Sequence, residues 1–265
     1  MAKHTDNNKG FKRIVLILLS ILIILSIILF VKIKLDEYRE NKSQREVSQV
    51  LDTIDIPEED VTPVVTERML KVKELKQENN DIVGWLQIDG TNINSPVLQG
   101  QDNEYYLKHN YKHEYISTGS IFLDKDYDFN KPSSNLLIYG HRNKVGLMFD
   151  ELVKYKDENF YKEHHTIRFT TVDEDTEYEI MSAFRSRVYY TDETDVFRYY
   201  YFIDSQNETE YDEYVTNCKK SSLYDTGVTA NYGEQLLTLS TCDYEVENGR
   251  FVVVAVKLNN VEESD

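Results

Sequence analysis

The amino-acid sequence predicts a mainly β body, a barrel or sandwich with inserted helices, behind one N-terminal apolar helix. Three observations carry this. From residue 81 onward, short apolar runs recur between turn signals, the pattern of many short strands. Twenty Tyr and eleven Phe against ten Gly and four Pro fit a packed body rather than a disordered chain. Ile14 to Val31 is an 18-residue apolar run broken only by Ser20 and Ser26. At 1.5 Å per residue it spans about 27 Å, close to the hydrocarbon thickness of a bilayer.

The N-terminal segment, residues 1–34, holds six Lys/Arg and one Asp. Lys3, Lys9, Lys12 and Arg13 precede the apolar run, so the N-terminus is expected in the cytoplasm and the rest outside. The run leads into Lys32 and Lys34 without a small-residue cleavage site, which favours an uncleaved anchor over a signal peptide. His4 falls on the cytoplasmic side. Residues 35–63 read as a stalk that acts as a plain spacer. Leu35 to Val50 is charged and can continue the helix, while Pro57 and Pro63 interrupt helix in the acidic stretch from Leu51 to Pro63.

The main domain is expected over residues 64–260, with an acidic tail at 261–265. Val64 to Asn79 reads as an amphipathic helix, because Met69, Val72, Leu75 and Lys76 recur at spacings of three and four. Strands are expected at Ile82–Ile88, closed by the turn signal Asp89-Gly90, and at Ile93–Leu98, where Pro96 suggests an edge or bulge. Asp102–His109 reads as a short helix or loop. Ser120–Asp124 and Leu136–Tyr139 are strands, and Leu147 to about Tyr161 is a helix candidate. Thr166–Thr171 and Tyr178–Tyr189 flank the acidic turn Asp173-Glu174-Asp175 as a hairpin. Ser205–Ser221 reads as a helix with Ser205 as its cap and Tyr211, Tyr214, Val215 and Cys218 on one side.

The last two strands carry the chemistry. Leu236-Leu237-Thr238-Leu239-Ser240-Thr241 runs into Cys242. After a polar loop ending at Gly249, Arg250 opens Phe251-Val252-Val253-Val254-Ala255-Val256. Paired strands lie about 4.8 Å apart, so a hairpin brings Cys242 and Arg250 together. A neighbouring cation favours the thiolate, the nucleophilic form of cysteine. The other reading of Cys242 is a small apolar residue ending a buried strand.

Of the remaining histidines, His164 and His165 read as solvated surface after a helix, and His109 and His113 sit in a Tyr/Lys-rich loop. His141 follows an apolar strand and Gly140, where a side chain can project from a rigid scaffold. Asp243 reads as a solvated loop carboxylate and Cys218 as a buried apolar residue. Two cysteines are too few for a disulfide framework, and no closely spaced His/Cys pair points to a metal. No cofactor is implied. The formal net charge of −17 argues against a basic nucleic-acid-binding face.

Tyr139-Gly140-His141 and Thr238-Leu239-Ser240-Thr241-Cys242, with Arg250 eight residues on, resemble the active-site motifs of sortases. These are membrane-anchored cysteine transpeptidases of Gram-positive bacteria. Four further stretches resemble class B sortases specifically: Asp81–Leu86, Val97–Gly100, Asp102–Leu107 and Gly119–Asp124. So does the helix before the cysteine-bearing strand. The resemblance covers roughly residues 64–258.

It implies an eight-stranded β-barrel with an N-terminal helix and an inserted helix before that strand. It also implies a mechanism. Cys242 attacks a sorting motif near the C-terminus of a secreted protein, after a threonine. His141 acts as general acid and then base, and Arg250 steadies the oxyanion. The thioacyl-enzyme is resolved by an amine of a cell-wall precursor. By the same resemblance, Asn103, Leu107, Ser240 and Thr241 line the substrate groove. Some class B enzymes act on pilins instead. On the residues alone, a Cys–His hydrolase and a non-catalytic surface-binding domain stay open.

Overall fold

The computed structural model describes residues 6–57, 65–142 and 148–258. His4, Pro63, Val64, Leu147 and the acidic tail at 261–265 lie outside them. The chain divides into two compact units, Met1–Ser43 and Gln44–Asp265.

Helix α1 (Asp6–Thr53) includes Gly10–Ser43, a stretch long and apolar enough to cross a membrane. Its apolar side chains are exposed along the run, and Ser20 and Ser26 bond carbonyls one turn back, at 2.8 Å each. That removes the cost of an unpaired hydroxyl in an apolar surrounding.

The second unit is built on a closed barrel of eight strands: β1 (Ile82–Gln87), β2 (Asn94–Leu98), β3 (Ile121–Leu123), β4 (Asn135–Tyr139), β5 (Thr166–Thr170), β6 (Asp175–Arg187), β7 (Leu236–Cys242) and β8 (Gly249–Lys257). Around the barrel the order is β1-β2-β3-β4-β7-β8-β6-β5. The β2–β3 and β4–β7 pairs are parallel, and the other six are antiparallel. This is the eight-stranded barrel that the resemblance implies.

Side-chain alternation separates inside from outside. Leu136, Ile138, Leu237, Leu239, Phe251 and Val253 fill the interior. On the outer wall Leu137, Leu236, Val252 and Val254 are covered by helix α4 (Glu208–Ser221) through Tyr211, Tyr214, Val215 and Cys218. The four residues read from the sequence as one helix face are thus the buried ones. A second outer layer places Val72 and Leu75 of helix α2 (Glu67–Glu78) over Ile82, Trp85, Leu98 and Phe122. Each such large apolar side chain contributes roughly 1.5–3 kcal/mol on burial.

Four local expectations are corrected. The cap of α4 is Asn207, whose side chain accepts the Glu210 N–H, because Ser205 is held by Ser134 at 2.9 Å. The helix expected to run to Tyr161 is a 3₁₀ turn (Glu151–Lys156) and a separate helix α3 (Glu158–Glu163). Asp157 turns extended between them and caps the second. Pro96 keeps the edge-like setting expected of it: it pairs with Trp85 on one side, and the β3 pairing on the other begins one residue later, at Val97. The acidic turn is shorter than expected: Asp175 already belongs to β6, and its carboxylate takes Thr66 Oγ1, Thr170 Oγ1 and Arg168. Finally, the end of α1 is not bare spacer. Leu51 is 3% exposed and shares the α2 layer with Val50 and Ile54.

Candidate active site

Strands β4 and β7 run parallel, with Asn135 opposite Leu236 and every later pair in step to Tyr139 opposite Ser240. The register continues past the end of β4, while β7 runs on to Cys242. Gly140 N–H donates to Ser240 O (3.1 Å), and Thr241 Oγ1 donates to Gly140 O (2.8 Å) across 101 residues of chain. His141 therefore leaves its strand level with Cys242. Gly140 is required by space: a Cβ there would sit 2.7 Å from the Phe149 ring.

Cys242 is half-buried and Cα-paired with Arg250, the last pair of the β7–β8 ladder. By alternation both belong to the outer row that holds Thr238, Ser240, Val252 and Val254. The Arg250 side chain is pinned to its own hairpin, Nη1 donating to Asn248 O (3.3 Å) and Gly249 O (2.9 Å). Asn248 adopts a left-handed φ of 54°, and a Cβ at Gly249 would lie 2.2 Å from Asp243 O. The hairpin is thus so tight that position 249 accepts only glycine.

His141 Nε2 lies 2.9 Å from Leu107 O. A carbonyl only accepts, so Nε2 carries the proton and Nδ1 is the nitrogen left for proton exchange.

A cleft of about 370 Å³ gathers these groups. Its lining includes Asn103, Leu107, Phe122, Tyr139, His141, Val188, Tyr199, Tyr200, Ser240, Thr241, Cys242 and Arg250. All seven residues singled out in the sequence border it. They are not equivalent. Ser240 and Thr241 are each 2% exposed, and their hydroxyls are engaged by Tyr199 OH (2.7 Å) and Gly140 O. Asn103 has both amide ends in use: Nδ2 donates to Asp124 and Oδ1 accepts the Lys125 N–H, each at 2.9 Å. Leu107 contributes a side chain to the wall and its carbonyl to His141.

Asp124 also takes the Tyr139 hydroxyl at 2.9 Å. Burial, and then the Asp124 charge, push the Tyr139 phenol far above its ordinary value, so it stays a neutral wall. Burial raises Tyr199 likewise.

Asp243 is the clearest correction. Expected as a solvated loop carboxylate, it is 2% exposed and ringed by Lys156 (3.0 Å), Arg142 (3.4 Å) and Arg185 (3.4 Å). Its partners come from β6 and from the segments after β4, too far along the chain for local pattern to reveal. Val188, Tyr199 and Tyr200 are lining residues that the sequence reading does not single out; the aromatic run before α4 is the available signal. His109 is stacked on Tyr105 at 4.0 Å, and His164 is not wholly solvated, its Nδ1 lying 2.8 Å from Asp89 O. Among the described residues no three His, Cys, Asp or Glu side chains converge as metal ligands do.

Comparison with known proteins agrees. The sortase domain family model matches residues 86–258. Over 235 residues the chain is 34% identical to sortase B of Listeria monocytogenes, covering 88% of this chain and 92% of that one. Among solved structures, sortase B from B. anthracis is 35% identical with a TM-score of 0.70. A Staphylococcus aureus sortase B–substrate complex is 26% identical with a TM-score of 0.71. Each match spans 85% of this chain and 99% of the other. With family, class and fold in agreement over most of its length, the chain belongs to the sortase family as a class B enzyme, a cysteine transpeptidase.

Proposed function

We propose that this sortase cleaves a C-terminal sorting motif of secreted proteins after its threonine and joins the new acyl end to an amine of a cell-wall precursor, anchoring the protein to peptidoglycan. The observation that carries the assignment of roles is the direct Cys242–Arg250 pairing beside His141 in one cleft.

The Cys242 thiolate attacks the threonine carbonyl carbon. Negative charge moves to the oxygen, where the Arg250 guanidinium stabilises it; one such donor is worth about 10²–10³ in rate. His141 gives a proton to the departing amine, which leaves as the C–N bond breaks and a thioester remains. The acceptor amine then attacks the thioester, His141 takes its proton, and Cys242 departs as thiolate. General acid–base transfer of this kind contributes typically 10²–10⁴-fold. Asn103, Leu107, Ser240 and Thr241 shape the groove: Leu107 by its side chain, and the other three as scaffold whose polar groups are already bonded within the protein. The apolar helix holds the enzyme in the membrane. The Lys/Arg residues before it keep the N-terminus cytoplasmic and the catalytic unit outside.

The test is the full chain in detergent with a library of sorting-motif peptides and an added amine, read by mass spectrometry. Cleavage after Thr with the amine attached is expected, and Cys242→Ala abolishes both. Activity persisting in that variant removes Cys242 as nucleophile. Water as sole acceptor at high amine concentration makes the enzyme a hydrolase instead.

A further inference from the structure

The residues on either side of the proposed catalytic pair are themselves paired. Before it, Gly140 and Thr241 share a hydrogen bond at 2.8 Å. After it, Arg142 and Asp243 form an ion pair at 3.4 Å, across the same 101 residues. The second link is reinforced: Tyr244 OH donates to Arg142 O (2.7 Å), and the guanidinium lies over the Tyr244 ring at 5.4 Å. Asp243 is in turn fixed from below. Lys156 holds it at 3.0 Å, Arg185 reaches its Oδ2 from β6, and its backbone N–H donates to Gly249 O at 2.9 Å. Asp150 and Glu245 balance the surrounding cations, Asp150 on Arg142 and Glu245 on Lys156 and Arg185.

Two features give this cluster a purpose beyond holding a loop. His141 stands past the end of β4, and its ring meets the carbonyl of Leu107 at the end of a 3₁₀ turn. The Arg142–Asp243 ion pair ties the residue after His141 to the residue after Cys242, as the Gly140–Thr241 hydrogen bond ties the residues before them. Asp243 is also spoken for by three cations, so its place in the reaction is not on the imidazole.

We infer that Asp243 and Arg142 are positioning residues: the ion pair between them clasps the segment after His141 to the segment after Cys242 and so sets the spacing of acid and nucleophile. The inference rests on the catalytic roles given to Cys242 and His141. Misplacement of a reacting group by about 1 Å costs up to about a hundredfold in rate.

The experiment compares Arg142→Gln, Arg142→Lys and Arg185→Gln in the full chain in detergent, with Cys242→Ala and His141→Ala as references. Arg142→Gln is expected to lower kcat about tenfold to a hundredfold with KM unchanged, at an unfolding temperature close to that of the parent. Arg142→Lys recovers much of the loss. Arg185→Gln, which removes a contact to the other oxygen of Asp243 and leaves the Arg142 link in place, lowers kcat less than Arg142→Gln. The pH profile of Cys242 alkylation in Arg142→Gln moves toward that of His141→Ala. Unchanged kcat in Arg142→Gln overturns the inference, as does an equal loss in both glutamine variants with a matching fall in unfolding temperature. Retained activity in Cys242→Ala or His141→Ala instead overturns the catalytic roles beneath it.

Discussion

Cys242 and Arg250 face each other as the last Cα pair of the β7–β8 ladder, with the guanidinium tied back to the Asn248 and Gly249 carbonyls of its own hairpin. The guanidinium is thus held by its own hairpin, in a residue that lines the same cleft as Cys242. Arg250→Ala is expected to lower kcat on the order of 10²–10³, as loss of one oxyanion donor does. Arg250→Lys should rescue only part, because an ammonium cannot reproduce the planar fork. Steady-state kinetics with a sorting-motif peptide decide this. A change confined to KM would assign Arg250 to ground-state binding.

Gly140 touches the Phe149 ring so closely that any Cβ forces a shift. Gly140→Ala should cost roughly 1–3 kcal/mol, the usual range for overpacking. Because the strain is local to one ring, Phe149→Leu in the Gly140→Ala background should be less damaging than in the parent. Urea unfolding of the four proteins gives the coupling directly. Strict additivity would mean that the ring is not what position 140 meets.

Cys218 is fully buried on the inner face of α4, and burial pushes its thiol far up. Iodoacetamide near pH 8 should therefore modify Cys242 and leave Cys218 untouched in the folded enzyme, with both labelled in guanidinium. Peptide mapping reads the result. Cys218→Ala should keep full activity and cost on the order of 1 kcal/mol in stability.

Alkaline stability is governed by the tyrosines. The Tyr127 phenol is pushed up to about 12, chiefly by burial, and Tyr139, Tyr155 and Tyr178 are raised further for the same reason. An unfolded phenol loses its proton near pH 10. Below that both states keep it and stability is flat with pH. Between about 10 and 12 the unfolded chain holds fewer protons than the folded one, so stability falls as pH rises. Unfolding temperatures monitored by circular dichroism should be level up to about pH 10 and decline beyond. A level curve to pH 12 would contradict the buried, neutral phenols.

What was legible in the sequence was whatever the chemistry wrote locally. The Cys242–Arg250 contact could be read because a short polar loop between two apolar runs leaves few other pairings. Tyr211, Tyr214, Val215 and Cys218 could be read because helical spacing gathers them on one side. The break at Asp157 could not, since its flanks suit helix equally well and only the cap geometry separates them. Nor could the burial of Asp243. A carboxylate in a polar loop looks solvated until Arg142, Lys156 and Arg185 arrive from three distant segments. Leu51 was hidden for the same reason, its partners lying in α2 and the barrel wall.

The alignment of β4 with β7 has one more consequence. It is made by hydrogen bonds across a parallel ladder, so the covalent path from Arg142 round to Gln235 is not what holds His141 level with Cys242. Gly227 lies on that path, with nothing within 4 Å of where a side chain would begin. A chain severed there carries His141 on one fragment and Cys242 on the other. The β4–β7 ladder is then the link that remains between the two residues proposed as acid and nucleophile.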